Sequence, residues 1–383
     1  MTAANYRTLE KLTLDLTNSY CTISGKNNAG KSCVIRLLSR LFRTRGSLPW
    51  VGDDRRFDYK EDKTQWVKSN VPIEIEYVLD LSRADDPALI SFVEKIASTK
   101  IETAVTQLKI SYVFSDGEPP VISAAIGGKV ADEKAAKEID KRIKDSDLLF
   151  LYNSTTRTEE YIYGPGGRRL FYEFLMSEEE RKELDEAEMH VQRRMRRLAK
   201  EHKQGLGTIL GRLTESVEVE LSPPEGFASR HIPVGISLKD RNVEVPLNDW
   251  GSGTQNRTRI LMAILQAKRI KTTESPDDRI TPFVVIEEPE SFLHPSAQAE
   301  FGRILRTLSV EFGIQIIVTT HSPYMLNQEE PASNILLSRA IRRGKAYETC
   351  VVDTSDDNWM APFAEHLGIA PTEFASWRPV FSS

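Results

Sequence analysis

The chain has 383 residues, 40% hydrophobic and 28% charged, with a formal net charge of -5. That composition suits a globular protein with a real core, built as one large α/β domain with an insertion or as two domains. It excludes a global positive field for nucleic acid, so any DNA contact must come from a local patch.

The first segment, MTAANYRTLE, lacks a signal-peptide core, and no apolar run approaches the roughly 18 residues of a membrane span. Cys21, Cys33 and Cys350 are scattered and odd in number. This argues against a disulfide framework or zinc site and suits a reducing cytoplasm. Leu12 to Ser24 reads as an extended apolar-rich stretch, and Val34, Ile35, Leu37, Leu38, Leu41 and Phe42 then follow at helical spacing. Strict alternation of apolar residues from Val71 to Leu81 predicts a half-exposed strand. Leu108–Phe114 and Val121–Ile126 look like its companions, so an antiparallel sheet is expected beside the core. Ala131–Lys144 reads as a charged helix and Leu148–Tyr152 as a short buried strand. Ser177 to Lys203 has another character: Ser177 and Glu180 make a capping box, with acids crowding the start. Arg193, Arg194, Arg196, Arg197, Lys200 and Lys203 crowd the end, as a solvated helix complementing its dipole would have them. Contact of these cations with DNA is the alternative reading. Strands are expected again at Val217–Leu221, Ile232–Leu238 and Val243–Leu247, the last two joined by a turn at Lys239–Asn242. Phe283–Ile286 and Ile314–Val318 are continuous apolar runs alternating with helices, the mark of a parallel sheet covered on both faces.

Four short segments carry chemistry. Gly25-Lys26-Asn27-Asn28-Ala29-Gly30-Lys31-Ser32 fits the phosphate-loop pattern and sits between a strand and a helix. Glycine freedom lets backbone N–H groups close around phosphates, and the helix start adds its positive end. Asn28, Gly30, Lys31, Ser32 and Cys33 are the nucleotide-binding candidates here. Lys31 is expected to reach the β- and γ-phosphates of ATP, and Ser32 to ligate magnesium. Phe283-Val284-Val285-Ile286-Glu287-Glu288 brings two acids to the carboxyl end of a buried strand, where ligands bind in open α/β sheets. Glu287 is assigned to the metal and Glu288 to deprotonating the attacking water. Ile316 to Ser322 ends a second buried strand in His321, positioned to hydrogen-bond the γ-phosphate. Finally, Trp250-Gly251-Ser252-Gly253-Thr254-Gln255 precedes an amphipathic helix, where Ser252, Gly253 and the helix start can form a second anion site.

The order of these elements, and the segments Asn5-Tyr6-Arg7-Thr8-Leu9, GKNNAGKS, GSGTQ, IEEPESFLHP and TTHSPYML, resemble ABC ATPases. Within them the chain is similar to the overcoming-lysogenization-defect (OLD) family and its relatives among antiphage ATPases. The likeness spans both ends of the chain, while residues from about Asp85 to Val245 contribute little. It implies an ABC-type P-loop fold with a mostly parallel core sheet, an antiparallel side-lobe and a helical insertion. The expected organisation is an ATPase domain of residues 1–165 and 215–383, interrupted by a helical arm or dimerisation insertion at 166–214. It also implies a homodimer or higher oligomer, in which the Ser252 signature of one protomer caps ATP held by the other. The implied function is an ATPase that gates a nucleic-acid-processing machine in antiphage defence. Three departures stand out. Glu287 replaces the usual Asp, no convincing Q-loop is visible beyond Gln65, and no Toprim acidic cluster is present. A Toprim nuclease is therefore expected in trans or beyond a truncation. A nucleotide-gated dimerisation module with negligible turnover is one alternative, which Glu288 disfavours. An SMC-like DNA-repair ATPase is another, although the arm is too short for a long coiled coil. A transporter subunit would carry a more compact signature insertion.

Overall fold

The computed structural model describes residues 1–42, 57–67, 70–98, 100–146, 148–154, 178–212, 218–222, 235–240, 243–273, 279–342, 345–355 and 358–368. They fall into two compact units, residues 1–155 with 266–383 and residues 156–265. The domain limits expected near 165 and 214 lie outside the described residues.

The first unit holds two six-stranded sheets. One is antiparallel, built from β1 (Thr2–Tyr6), β2 (Leu9–Thr13), β4 (Ile73–Ser82), β5 (Val105–Phe114), β6 (Val121–Ile126) and β7 (Lys129–Val130) in the order β2-β1-β4-β5-β6-β7. Its cause is the period of two read in the sequence: Ile73, Ile75 and Tyr77 of β4 are buried, and Glu74 and Val78 on the opposite face are exposed. The buried face continues across the sheet into Leu108, Ile110 and Tyr112 of β5. Helix α4 (Glu133–Asp145), capped by the Asp132 side chain accepting from Ala135 N, buries Ala136, Ile139 and Ile143 in the same core. Helix α3 (Pro87–Ile96), which no periodicity singled out in the sequence, packs beside it.

The other sheet contains β3 (Tyr20–Gly25), β8 (Leu149–Asn153), β12 (Phe283–Glu287), β13 (Ile316–Thr320), β14 (Asn334–Arg342) and β15 (Lys345–Val352), in the order β15-β14-β3-β13-β12-β8. All neighbours pair in parallel except the β14–β15 hairpin. Every residue of β3 and of β13 is buried, as strands covered on both faces require. Helix α1 (Lys31–Leu41) turns Val34, Ile35, Leu37, Leu38 and Leu41 inward. The extended stretch expected from Leu12 to Ser24 resolves into the end of β2 and all of β3. Helix α7 (Pro295–Phe312) connects β12 to β13 and ends on Gly313 at φ 58, in the left-handed region glycine favours. Helix α8 (Met360–Leu367) packs Phe363 against Leu326 and Leu336.

A short turn of helix, α2 (Tyr59–Asp62), delivers Asp62 into the protein between Arg7 of the β1–β2 turn and Arg40 of α1. Arg7 Nη2 lies 2.7 Å from Asp62 Oδ1, and Arg40 pairs with Oδ2.

The second unit contains the long helix α5 (Glu178–Leu210) and a three-stranded antiparallel sheet in the order β11-β10-β9, made of β9 (Glu218–Ser222), β10 (Gly235–Asp240) and β11 (Val243–Pro246). Ser177, the expected cap of α5, lies outside the described residues. The helix continues seven residues beyond the expected end at Lys203, because Leu206, Ile209 and Leu210 are buried. Helix α6 (Ser252–Thr273) begins in this unit, and the division between the units falls inside it. Among the described residues no helix is long and apolar enough to cross a membrane.

Candidate functional site

Parallel pairing aligns the carboxyl ends of four strands. Thr320 of β13 stands beside Ser24 of β3, and Glu287 of β12 stands between Thr319 of β13 and Asn153 of β8. The phosphate loop, both acids and His321 therefore emerge at one edge of one sheet, although they come from segments nearly 300 residues apart in sequence.

Steric fit fixes the loop. Gly25 has φ 154 and Gly30 has φ 111, and Asn28 takes φ 63, which asparagine tolerates better than most residues. A Cβ on Gly25 would strike the Leu337 carbonyl oxygen of β14 and come within 2.9 Å of the Ala29 methyl group. A Cβ on Gly30 would run into the Thr349 side chain of β15. The loop backbone is thus pressed against the β14–β15 hairpin at Gly25 and Gly30, with no room for a side chain at either. Ser32 is exposed at the start of α1. Cys33 is half-buried, and burial pushes its thiol up while hydrogen bonds with Thr8 oppose the shift. Its backbone lies in the first turn of α1, where the Cys33 N–H donates to Gly30 O at 3.0 Å.

Lys31 is nearly buried, and its ammonium donates to Gly25 O at 2.8 Å and Lys26 O at 3.3 Å. A third contact joins it to His321 Nε2 at 2.9 Å. An ammonium can only donate, so Nε2 is the acceptor there and the ring proton sits on Nδ1. Burial and then the Lys31 charge hold the His321 pKa below its ordinary value, opposed by Glu288. Burial likewise lowers Lys31, and the charges of Glu288 and Glu290 oppose it. Glu288 Oε1 lies 3.6 Å from His321 Nε2. A cation and a carboxylate thus converge on one imidazole nitrogen, a cluster that can both hold a phosphate and take a proton.

Glu288 leaves β12 with φ 49, uncommon for a residue with a side chain and costing of order 1–3 kcal/mol. Its N–H is held by Thr319 O at 2.9 Å. Neighbouring Glu287 accepts from Asn153 Nδ2 at 3.3 Å. Burial, then the charge of Glu288, raises Glu287 to about 7. A carboxylate so poorly solvated has most to gain from a bound cation. Among the described residues no group of three or more His, Cys, Asp or Glu side chains is arranged for a metal. Magnesium here would therefore take Ser32 and Glu287 from the protein and the rest of its shell from phosphate and water.

Two participants escaped the sequence reading. Asn153 follows an ordinary apolar strand and is identified only by the β8–β12 pairing. Glu290 was visible in IEEPESFLHP but had no assigned task. Its Oε1 accepts from the His321 backbone N–H at 2.6 Å, tying the exit of β12 to the exit of β13. Burial raises its pKa against that hydrogen bond. Gln65, the weak Q-loop candidate, is exposed and donates to Lys60 O and Lys63 O within its own turn.

Ser252 and Gly253 belong to the second unit, at the first turn of α6. Gln255 N–H donates to Gly251 O at 3.1 Å, and the Gln255 side-chain amide donates to Trp250 O at 2.7 Å, bracing the turn. Trp250 is fixed in turn by its indole N–H on Val245 O at 3.1 Å. Ser252 and Gly253 are half-exposed, and Asn256, Arg257 and Thr258 behind them are buried.

Three nucleases share sequence with the chain. The Old nuclease of Escherichia phage P2 is 36% identical over 124 residues, 31% of this chain and 21% of that protein. The OLD nuclease of Thermus scotoductus is 32% identical over 129 residues, 33% of this chain and 22% of the relative. Endonuclease GajA of Bacillus cereus is 28% identical over 126 residues, covering 31% and 18%. The chain spans about a fifth of the length of the curated relatives it matches. Among solved structures, an SMC head bound to the C-terminal winged-helix domain of ScpA superposes with a TM-score of 0.55 at 15% identity, covering 92% of this chain and 96% of that one. The SMC head domain from Thermotoga maritima gives 0.50 at 13% identity, covering 93% and 98%. At such identities the likeness is one of fold, a P-loop ATPase head joining a parallel and an antiparallel sheet. A family profile described as "AAA domain, putative AbiEii toxin, Type IV TA system" matches residues 22–327. That match runs through well over half of the sequence, and the chain therefore belongs to this AAA family as an ATPase domain of the OLD kind.

Proposed function

We propose that this chain binds ATP with magnesium on the Gly25–Ser32 loop and hydrolyses it, and that two copies complete the sites. The observation that carries the reading is the meeting of Lys31 Nζ, at 2.9 Å, and Glu288 Oε1, at 3.6 Å, on His321 Nε2 at the carboxyl edge of the parallel sheet. Lys31 exchanges its bonds to Gly25 O, Lys26 O and His321 for the β- and γ-phosphates. Asn28, Gly30 and Cys33 contribute loop backbone around them. Magnesium, when bound, neutralises charge on the phosphate oxygens, with Ser32 and Glu287 as its protein ligands. Glu288 orients the attacking water and takes its proton, and His321 registers the γ-phosphate.

Ser252 and Gly253 serve as an anion site for ATP held by a second copy, in an isologous homodimer. The nuclease relatives support a role for hydrolysis in gating nucleic-acid processing, with a Toprim nuclease supplied in trans or by a longer chain. Antiphage defence is the setting that the phage P2 relative and its family suggest. The test is Glu288→Gln. It should bind ATP and magnesium as the parent does while phosphate release falls by about 10²- to 10⁴-fold, the usual worth of a general base. Turnover equal to the parent's would remove Glu288 from that role.

A further inference from the structure

Helix α5 carries a feature that the ATP site does not use. Residues 193–200 contain four arginines, one lysine and no acid, in a chain whose net charge is -5. Arg193, Arg194, Arg196, Arg197 and Lys200 are all exposed, and among the described residues none of them has an acidic or hydrogen-bonding partner. Complementing the helix dipole does not account for them. The dipole acts within the last turn, whereas α5 runs on to Leu210 and its last turn contains no basic residue. The cluster therefore lies in the middle of the helix, two and a half turns or more before its end.

Helical geometry sorts these cations by face. At about 100° per residue, Arg193, Arg196, Arg197 and Lys200 fall within an arc of about 100°, and from Arg193 to Lys200 they span about 10 Å of axis. Leu206 and Ile209, both buried, lie on the far side. The basic face thus points away from the packed face, where three planar, bidentate guanidinium groups and one ammonium meet solvent. Among its described residues the only apolar side chain is Met189, 49% exposed, which is too little to hold another helix by apolar burial. No aromatic residue stands on it to stack an unpaired base.

We propose that this face of α5 is a contact surface for the phosphate backbone of duplex nucleic acid, bound without regard to base sequence. Regular phosphates along a duplex match several guanidinium groups within one short length of helix, and the arginines fix position without reading bases. The proposal deepens the nucleic-acid part of the function proposed above but uses no group of the ATP site, so the two stand or fall separately.

The test is fluorescence anisotropy of a labelled 30-base-pair DNA of arbitrary sequence, with the full chain, no nucleotide, and salt between 50 and 200 mM. Four neutralised phosphates give a log–log salt slope of about -3.6, an affinity loss of about a hundredfold across that range. The variant Arg193→Gln/Arg197→Gln/Lys200→Gln should weaken binding at least tenfold at 50 mM salt and reduce the slope by about 2.7. Its ATP turnover and circular dichroism should match the parent's, since none of the three residues belongs to the ATP site. Unchanged affinity and slope in the variant, or no DNA binding by the parent, overturns the proposal. So does DNA binding that survives while sedimentation shows the variant losing self-association, because the face would then pair with the acidic half of a second copy's helix. A parent that binds DNA with the expected slope yet hydrolyses no ATP supports this surface and defeats the ATPase reading alone.

Discussion

Replacing Glu290 by alanine severs the tie between the exits of β12 and β13. Its carboxylate accepts the His321 N–H at 2.6 Å, and a hydrogen bond to a charged acceptor contributes about 1.5–3 kcal/mol. The void left by truncation adds about 1 kcal/mol, so the loss should total about 2–4 kcal/mol. With a urea slope of about 3 kcal/mol/M for a chain of this size, the unfolding midpoint should fall by about 1 M. Glu290→Gln retains an acceptor oxygen and should lose less than about 1 kcal/mol. The same contrast should appear in turnover. His321 stands 2.9 Å from Lys31, and releasing its backbone by about 1 Å should cost about a hundredfold, whereas the glutamine protein should stay within tenfold. Urea titration of the ligand-free chain and steady-state phosphate release measure the two effects. An alanine protein with the parent's midpoint and turnover would show that the hydrogen bond positions nothing. A glutamine protein as damaged as the alanine one would move the role from clamp to charge.

Lys31→Ala and Ser252→Arg proteins, each inactive alone, should recover part of the phosphate-release activity when mixed, because a mixed dimer holds one composite site with neither lesion. No recovery despite demonstrated subunit exchange would refute independent composite sites. Glu287 is raised from 4.5 to about 7 in the folded chain, so the folded state holds a proton through that window which the unfolded state has released. Its contribution to stability must therefore fall as pH rises from about 4.5 to 7. In urea titrations without magnesium or nucleotide, Glu287→Gln should flatten that slope, and identical slopes would contradict the burial of this acid. Asp62→Ala leaves the nearly buried Arg40 guanidinium facing a removed partner and should cost about 3–5 kcal/mol by the same assay. A loss under 1 kcal/mol would mean that Arg40 is held by its other contacts.

Local chemistry made some of this legible in the sequence. The Gly25–Ser32 loop is specified by adjacent residues, and β4 by an alternation that survives because one face is buried. The end of α5 lies beyond the basic residues that read as a C-terminal signal, with Gly205 and Gly207 inside the helix. Burial of Leu206, Ile209 and Leu210 outweighs the roughly 0.5–1 kcal/mol that each glycine costs a helix. The β14–β15 hairpin carries no motif, and its importance lies in where Leu337 O and Thr349 stand against two glycines. Asp62 and Glu290 are acids among 56 acidic residues, and only tertiary structure separates them from acids on the surface. Sequence patterns report what neighbours do to each other. The partners of Asp62 and Glu290 lie between 22 and 55 residues away.

The wall behind the phosphate loop also sets a timetable. Gly25 is backed by Leu337 of β14 and Gly30 by Thr349 of β15, and the strand leading to the loop is flanked by β13 and β14. A ribosome adding about 5–20 residues per second spends on the order of 15–60 s between making Gly25 and making Leu337. For most of that interval, until β13 is made, β3, apolar and destined for the centre of a sheet, has neither neighbour to pair with. The nascent chain therefore carries a sticky, half-finished phosphate loop until β14 and β15 are made, and the loop acquires its shape only when that hairpin closes over it. Substitutions that weaken β14 or β15 should accordingly lower the yield of active protein more than they lower the melting temperature of the molecules that do fold.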